Sequence, residues 1–547
     1  MSCVKNVVEL LVETLVSLDI QHAFGIPGKS VAPVILEFGN QGIEFILGRH
    51  ESGAGFAAGG YAFTGKQLGV VVGTSGPGGT NLVTAAAHAK MNALPVLFIT
   101  GHQSAAETGI PQCQDSSSFG IDLAEIMKPV TLFSTMVSRA DTFPAIFNHA
   151  LREAMTGRKG PVHLCIPFDV MISPVAEPNI HIPSSRLNYA ATNLTDVVNQ
   201  LRAARNPVIL AGKGVVLSGA QEPLASFAEQ FQVPIVTTPG GKGSIHSSHY
   251  LYHGPFGLGG HQKARDLLES GVDLMLVMGS RVSDTALAGL DRSYFPQRII
   301  QFDISYEFMG GIIQAEHTHV FGDLKTNLEE LLRLYPNEST SEKVGVGERY
   351  HDPLPVLQSL SVAEVCQALG DIIPEQSTIF ADDGAHGYHA VRWLDLKPGV
   401  TFFFDSYFAS MANAIGMAIG AKFADGEQNV ICLTGDGCLF MLGSEISTCV
   451  AEQLPVIFIV INNGQLDMAL KGMREFTGRT DGTIFKQPLD AAAFAASMGA
   501  DSARCTTLSE FTQIFKQALQ FNKPFVIDVI VDKEEIPSTL ARQMKLD

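Results

Sequence analysis

The sequence predicts an α/β protein made of three doubly wound parallel-sheet domains, and three observations predict it. The chain is 547 residues long, too long for one hydrophobic core at roughly 150 residues per domain. Short apolar runs alternate with helical patterns along its whole length. Two polar, proline-bearing stretches cut it into parts of similar size. The runs at 68–72 (Leu-Gly-Val-Val-Val), 208–210 (Val-Ile-Leu), 274–277 (Leu-Met-Leu-Val), 430–433 (Val-Ile-Cys-Leu) and 456–461 (Val-Ile-Phe-Ile-Val-Ile) are uninterrupted, as expected of strands buried on both faces of a parallel sheet. The stretch 172–191, with Pro174, Pro178 and Pro183, and the glycine-bearing stretch 336–353 read as linkers. The expected units are therefore 1–172, 190–335 and 354–535, followed by a tail at 536–547. The first and last units share the same strand-helix rhythm without a strict repeat.

Composition narrows the function class. Hydrophobic residues make up 46% of the chain and charged residues 17%, with no apolar run long enough to cross a bilayer. No membrane partner is expected. Residues 1–10 carry Lys5 and Glu9 and lack the basic start, apolar core and cleavage site of a secretory signal, so the expected location is cytoplasmic. A net charge of -18 argues against nucleic acid, which selects clustered Lys and Arg. Eight cysteines without a Cys-x-x-Cys pair suit reduced, mostly packed thiols better than a disulfide framework or zinc site.

In parallel sheets ligands sit beyond the carboxyl ends of the strands, so the residues that follow each run carry the information. Thr434, Gly435, Asp436 and Gly437 follow the run at 430–433, and Asn462, Asn463, Gly464 and Gln465 follow the run at 456–461. Mg²⁺ takes near-octahedral oxygen ligands, usually shared between one or two protein groups and a phosphate. Asp436 and Asn463 supply such a carboxylate and amide oxygen. Gly437 allows the backbone to approach a diphosphate closely, and N–H groups at the start of the next helix, expected near 442–445, can bind its oxygens. Gly-Asp-Gly alone is a common turn. Here the intervening residues 438–461 are the length of a helix plus a strand, which brings two adjacent strand ends to one metal.

This spacing, with Phe440, Met441, Glu445 and Leu454-Pro455-Val456 between the two ends, closely resembles the thiamine diphosphate signature of the acetohydroxyacid synthase and pyruvate decarboxylase superfamily. Matches continue through 24–28 (Phe-Gly-Ile-Pro-Gly), 74–81 (Thr-Ser-Gly-Pro-Gly-Gly-Thr-Asn), 160–162 (Gly-Pro-Val), 383–386 (Asp-Gly-Ala-His) and 407–421. The resemblance implies thiamine diphosphate and Mg²⁺ as cofactors, with Asp436, Asn463 and the backbone of Gln465 on the metal, and with Gly435, Gly437 and Cys438 beside the diphosphate. Residues 49–54 (Arg-His-Glu-Ser-Gly-Ala) look like the family's glutamate element. It would place Glu51 against the aminopyrimidine ring, where proton exchange with a ring nitrogen switches on the cofactor's own base. Glutamates are usually exposed, but the small residues from Gly53 to Ala58 suit a buried one. By the same carry-over Pro27, Gly28, Gly78 and Asn81 line the pyrimidine side, and Gly384 and His386 approach the diphosphate. Ala409 and Met411 would offer backbone contacts to the pyrimidine, with the Met411 side chain beneath the bent cofactor. Taken alone, the glycines read as tight turns and Met411 as core. The resemblance also implies active sites shared between subunits, with Glu51 and Asp436 from different chains. A homodimer is then the minimum and a homotetramer common among relatives.

Within the superfamily, 74–81 and 94–97 (Leu-Pro-Val-Leu) look most like acetolactate synthases, which decarboxylate pyruvate and join the two-carbon unit to a second 2-oxo acid. Several positions depart from that pattern. The stretch 280–286 (Ser-Arg-Val-Ser-Asp-Thr-Ala) replaces an arginine- and aspartate-rich flavin-binding segment, which argues against FAD. Gly472 stands where relatives place a tryptophan that shapes acceptor choice. Gln114 with Asp115 keeps a polar pair where relatives have Gln-Glu, and His102 replaces a glutamine. His261 sits where a central-domain histidine approaches the pocket in relatives, and Lys29 could hold a substrate carboxylate or face solvent. Lys29, His102, Gln114, His261 and Gly472 are thus the candidate substrate pocket. The leading expectation is an FAD-independent, acetolactate-synthase-like carboligase acting on pyruvate or a similar 2-oxo acid. Alternatives are a 2-oxo acid decarboxylase releasing an aldehyde, a specialised lyase or acyltransferase, and an inert scaffold. Retention of Glu51, Asp436 and Asn463 together argues against the last.

Overall fold

The computed structural model describes residues 5–175, 179–182, 189–308, 313–336 and 352–537. Pro178 and Pro183 of the first linker, most of 336–353 and the tail from 538 onward lie outside the described residues.

Three six-stranded sheets, parallel throughout, form the frame. The first contains β1 (His22–Gly25), β2 (Glu44–Leu47), β3 (Gly69–Gly73), β4 (Val96–His102), β5 (Phe133–Met136) and β6 (Val162–Pro167), in the order β2-β1-β3-β4-β6-β5. The second contains β7 (Pro207–Ala211), β8 (Ile235–Thr237), β9 (Tyr252–Pro255), β10 (Leu274–Met278), β11 (Arg298–Asp303) and β12 (Glu316–Phe321), in the order β12-β11-β10-β7-β8-β9. The third contains β13 (Ser377–Ala381), β14 (Thr401–Phe404), β15 (Asn429–Gly435), β16 (Val456–Asn462), β17 (Asp501–Cys505) and β18 (Phe525–Ile530), in the order β14-β13-β15-β16-β18-β17. Every apolar run singled out in the sequence falls in one of these strands, save that Leu68 of the first precedes β3. The first and third sheets have the same topology, so each has its switch point at equivalent strands: between β1 and β3, and between β13 and β15. A crevice opens outside the carboxyl ends of strands at such a point.

The two equivalent units share one hydrophobic core, in which Phe24, Phe56 and Phe98 pack with Phe380, Phe403 and Met417. Helices Glu51–Gly65 and Asn413–Ala424 form its centre. Both are rich in Gly and Ala, and the reason is geometric. A Cβ on Gly60 would lie 2.0 Å from the Met417 carbonyl oxygen, and one on Gly420 would lie 1.7 Å from that of Ala57. The helices touch backbone to backbone, which only residues without side chains permit. The second sheet encloses cores of its own, and Lys242 ties it to the third by donating to the Val391 carbonyl at 2.8 Å. Of the described cysteines, Cys165, Cys366, Cys432, Cys438, Cys449 and Cys505 are buried and Cys113 is exposed; all seven are free. Among the described residues no helix is long and apolar enough to cross a membrane.

Candidate active site

At the switch point of the third sheet, β15 ends at Gly435 and the chain enters helix Asp436–Leu442 without a loop. The helix start expected near 442–445 is thus corrected to Asp436. Gly435, with φ -110° and ψ 164°, turns strand directly into helix, so the N–H groups of the first turn belong to Asp436 and Gly437 themselves. The Asp436 carboxylate accepts from the Gly437 N–H at 2.8 Å and the Gly464 N–H at 2.7 Å. Burial raises its pKa to about 6 against the pull of these donors, and a cation beside it would stabilise the ionised form. Gly464 turns the chain at φ +74°, which sets Asn463 and Gln465 on either side of a left-handed bend. The side-chain amide of Gln465 donates to Asp467 and to the Lys533 carbonyl, so its main-chain carbonyl is the group it can offer a metal. Asn462 is engaged elsewhere, donating to the Leu489 carbonyl and Asp528, and braces the end of β16. Among the described residues no group of three or more His, Cys, Asp or Glu side chains could hold a metal. A carboxylate, an amide and a carbonyl completed by phosphate oxygens suit Mg²⁺.

His386 lies on the other side of this crevice. Its ring carbon Cε1 is 2.7 Å from where a Cβ on Gly384 would stand and 2.8 Å from the same point on Gly435, so the two glycines form a cradle for the imidazole. Nε2 is buried with no hydrogen-bond partner, and burial holds the pKa down to about 4. A neutral imidazole with a spare nitrogen, at the uncapped start of helix Ala385–Trp393, fits a diphosphate oxygen. The Cys438 thiol donates to the Asp383 carbonyl at 3.3 Å and burial raises its pKa well above the ordinary value, so only its backbone is free for a ligand. The Met411 methyl lies 3.2 Å from where a Cβ on Gly437 would be, which joins the 409–411 segment to the metal-side turn. Ala409 adopts φ +55°, and its N–H donates to Asp405 at 3.1 Å.

Glu51, Pro27, Gly28, Gly78 and Asn81 gather at the switch point of the first sheet. Glu51 is the first residue of its helix, is 8% exposed, and accepts from the Asn81 amide at 2.9 Å. His50, left without a role by the sequence, caps that helix by accepting from the Ser52 N–H at 3.1 Å. The Pro27-Gly28 turn and Gly78 close on Thr74 from two sides: a Cβ on Gly28 would be 2.2 Å from its hydroxyl, and one on Gly78 would be 2.8 Å from its methyl. Sequence reasoning missed the contact that fixes this turn. Glu445 accepts from the N–H groups of Arg49 and His50, both at 2.9 Å, and from Thr448 at 2.9 Å. It thus holds the start of the Glu51 helix from the third sheet's unit. Its one signal was its place between the two strand-end motifs, because the partners lie 396 and 395 residues away along the chain.

The substrate-pocket candidates do not all meet. His102 ends β4 fully buried; its Nδ1 accepts from the Ser116 N–H at 3.4 Å, and its Nε2 has no partner. Burial lowers its pKa. Gln114, at φ +59°, accepts from the Ser75 hydroxyl at 3.4 Å, and the Ser116 hydroxyl accepts from the Gly76 N–H at 2.8 Å. His102 and Gln114 therefore share one polar cluster beside the Gly76–Gly78 turn. Lys29 is exposed at the end of the first turn after β1. His261 is drawn away: its Nε2–H donates to the Arg392 carbonyl at the far end of helix Ala385–Trp393, and burial holds its pKa to about 4. Gly472 lies on helix Asp467–Thr477 next to Lys471, whose ammonium pairs with Asp467 at 2.6 Å.

Comparison with known proteins matches this geometry to one family. Residues 5–124 match the N-terminal TPP binding domain of thiamine pyrophosphate enzymes, 194–331 the central domain and 382–529 the C-terminal TPP binding domain. The chain is 31% identical over 549 aligned residues to the acetolactate synthase large subunit of Corynebacterium glutamicum, covering 96% of this chain and 86% of that protein. It is 28% identical to the acetolactate synthase large subunit of Lactococcus lactis, covering 96% and 92% respectively. In fold it resembles the thiamine diphosphate-dependent 4-hydroxybenzoylformate decarboxylase of Rhodococcus jostii, with a TM-score of 0.85 at 21% identity over 97% of this chain and all of that one. With its paired switch-point crevices and its domain order, the chain belongs to the thiamine pyrophosphate enzyme family.

Proposed function

We propose that the protein is a Mg²⁺- and thiamine diphosphate-dependent carboligase of acetolactate-synthase type, working without FAD on pyruvate or a similar 2-oxo acid. The single observation that carries ligation over simple decarboxylation is the state of the imidazoles. Releasing an aldehyde needs an acid poised to protonate carbon. Burial disfavours the charged form of His102, in the polar cluster beside the Gly76–Gly78 turn, and of His386 on the diphosphate side, while His261 is turned away onto the Arg392 carbonyl. The names of the relatives support the same reading.

When bound, the cofactor supplies a carbon nucleophile and an electron sink for decarboxylation. The residues of this chain do the rest. Asp436, Asn463 and the Gln465 carbonyl hold the metal, and His386 and the Gly435–Gly437 backbone hold the diphosphate. Glu51, oriented by Asn81, exchanges a proton at the pyrimidine nitrogen. His102, Gln114 and Lys29 orient the substrate carboxylates.

The active site is completed by a second subunit in this reading. Phe440, Met441, Phe476 and Ile484 are 50%, 54%, 60% and 59% exposed on the metal side of one chain, an apolar surface a partner would cover. Incubating the protein with pyruvate, thiamine diphosphate and Mg²⁺ but no FAD, then separating products, tests the assignment. Acetolactate is expected. Acetaldehyde as the main product would replace the carboligase by a decarboxylase, and no turnover of pyruvate would sink pyruvate as donor.

A further inference from the structure

The central unit reaches the cofactor segment through a buried charge. Lys213, which opens the helix after β7, points its ammonium out of its own unit, donates to the Asn92 side-chain carbonyl, and stands 4.5 Å from the centroid of the Phe403 ring. Asn92, just after helix Val83–Met91 of the first unit, donates to the His88 carbonyl at 2.9 Å and hydrogen-bonds the Asp405 carboxylate. His88 Nε2 lies 3.7 Å from Asp405, with side-chain exposures of 1% and 0%. Three units therefore meet at Asp405, which follows β14 of the third.

Asp405 in turn shapes the segment next to it. One of its oxygens accepts from the N–H groups of Tyr407 and Phe408, each at 3.1 Å, and the other from that of Ala409 at 3.1 Å. Ala409 and Ala412 adopt φ +55° and +69°, left-handed conformations that a residue with a Cβ keeps only under outside constraint. Accepting three N–H groups favours the anionic form of Asp405, and a fully buried anion needs a counter-charge.

We propose that Lys213, with Asn92 and His88, is a positioning device that keeps Asp405 anionic beneath the 407–409 turn and so presets Ala409 and Met411 for the pyrimidine end of the cofactor. The inference rests on the reading that this segment meets the cofactor. The charged and titratable groups facing Lys213 are Asp405, Asp383 and Arg281; those facing His88 are Asp405 and Lys213, with the neutral Asn413 beside it. Burial above all holds His88 down to about 4, with Asp405 opposing and the Lys213 charge adding, so it is neutral near pH 7. Burial also brings Lys213 down to about 8 against the pull of Asp405 and Asp383, so Lys213 is the working cation below that value.

Removing that cation should leave a signature that loss of packing would not. In Lys213→Met, thiamine diphosphate affinity in the presence of Mg²⁺, read by calorimetry, should fall by about tenfold or more near neutral pH. The ratio of variant to wild-type Kd should be largest near pH ~7 and shrink as pH is raised toward ~9, where the wild-type Lys213 loses its own proton. Unchanged affinity in Lys213→Met, or a loss equal at every pH, overturns the inference. If Lys213→Met does not fold, the near-isosteric Asp405→Asn decides: weakened cofactor binding supports the device and wild-type binding overturns it. Wild-type protein that fails to bind thiamine diphosphate would overturn the cofactor reading itself, a separate result.

Discussion

At the scale of single residues, the two carboxylates of the site have separable roles. Glu51→Gln keeps the hydrogen-bonding shape toward Asn81 but cannot exchange a proton, so turnover should fall by roughly 10²–10⁴-fold while calorimetric affinity for thiamine diphosphate stays the same. Full activity in that variant would end the proposed role. Asp436→Ala removes the carboxylate that joins the ends of β15 and β16, and Mg²⁺-dependent retention of the cofactor should be lost on gel filtration; tight binding would mean the metal sits elsewhere. Both residues were legible because each lies in a short local motif: Asp436 between two glycines at a strand end, Glu51 among small residues. Glu445 and Asp405 were not. They act through backbone N–H groups that come near them only in the folded chain, and a lone acidic residue in sequence looks like any solvated one.

Among the elements, the glycine- and alanine-rich helices 51–65 and 413–424 are the most constrained. Gly420→Ala would drive a Cβ to 1.7 Å from the Ala57 oxygen, and the helices would have to separate. A stability loss of about 1–3 kcal/mol or more is expected, read as a lowered thermal midpoint, whereas the same change at Gly426, with nothing within 4 Å of its would-be Cβ, should be nearly neutral. Equal midpoints for the two variants would remove the close-packing argument. The apolar strand runs were readable because a strand covered on both faces has no polar alternation to confuse it. The start of the helix after β15 was misplaced because Gly435-Asp436-Gly437 carries residues that favour turns, and the tertiary contacts of Asp436 override that preference.

For the whole molecule, burial makes folding sensitive to pH. Asp382 is fully buried, accepting from Thr434 at 2.9 Å, and burial lifts its pKa from 3.8 to about 7. Its folded-state pKa is raised, so its contribution to stability is complete below the unfolded value and is lost as pH rises through about 7. Asp382→Asn should therefore flatten the pH dependence of the cofactor-free protein's melting temperature across that window; an unchanged slope would show that Asp382 does not titrate there. The proposed sharing of sites between subunits makes another prediction. Glu51→Gln and Asp436→Ala, each inactive alone, should regain activity when co-expressed, because one site of each mixed dimer is intact, or about one-quarter of all sites with random pairing. No regain would place each complete site within one chain.

The sequence by itself determined the fold class and the cofactor family, and pointed to the strand ends at which the candidate site is drawn, because these depend on local periodicity and on motifs only a few residues long. It left the start of the helix after β15 in the wrong place and showed no partner for His261. Only the tertiary structure showed that His261 is spent on the Arg392 carbonyl, that Glu445 braces the turn before the Glu51 helix from another unit, and that Lys213 reaches the Asn92 that hydrogen-bonds Asp405. The physical reason is common to all three: a buried polar group must find its partner wherever the packed chain provides one, and that partner can lie hundreds of residues away.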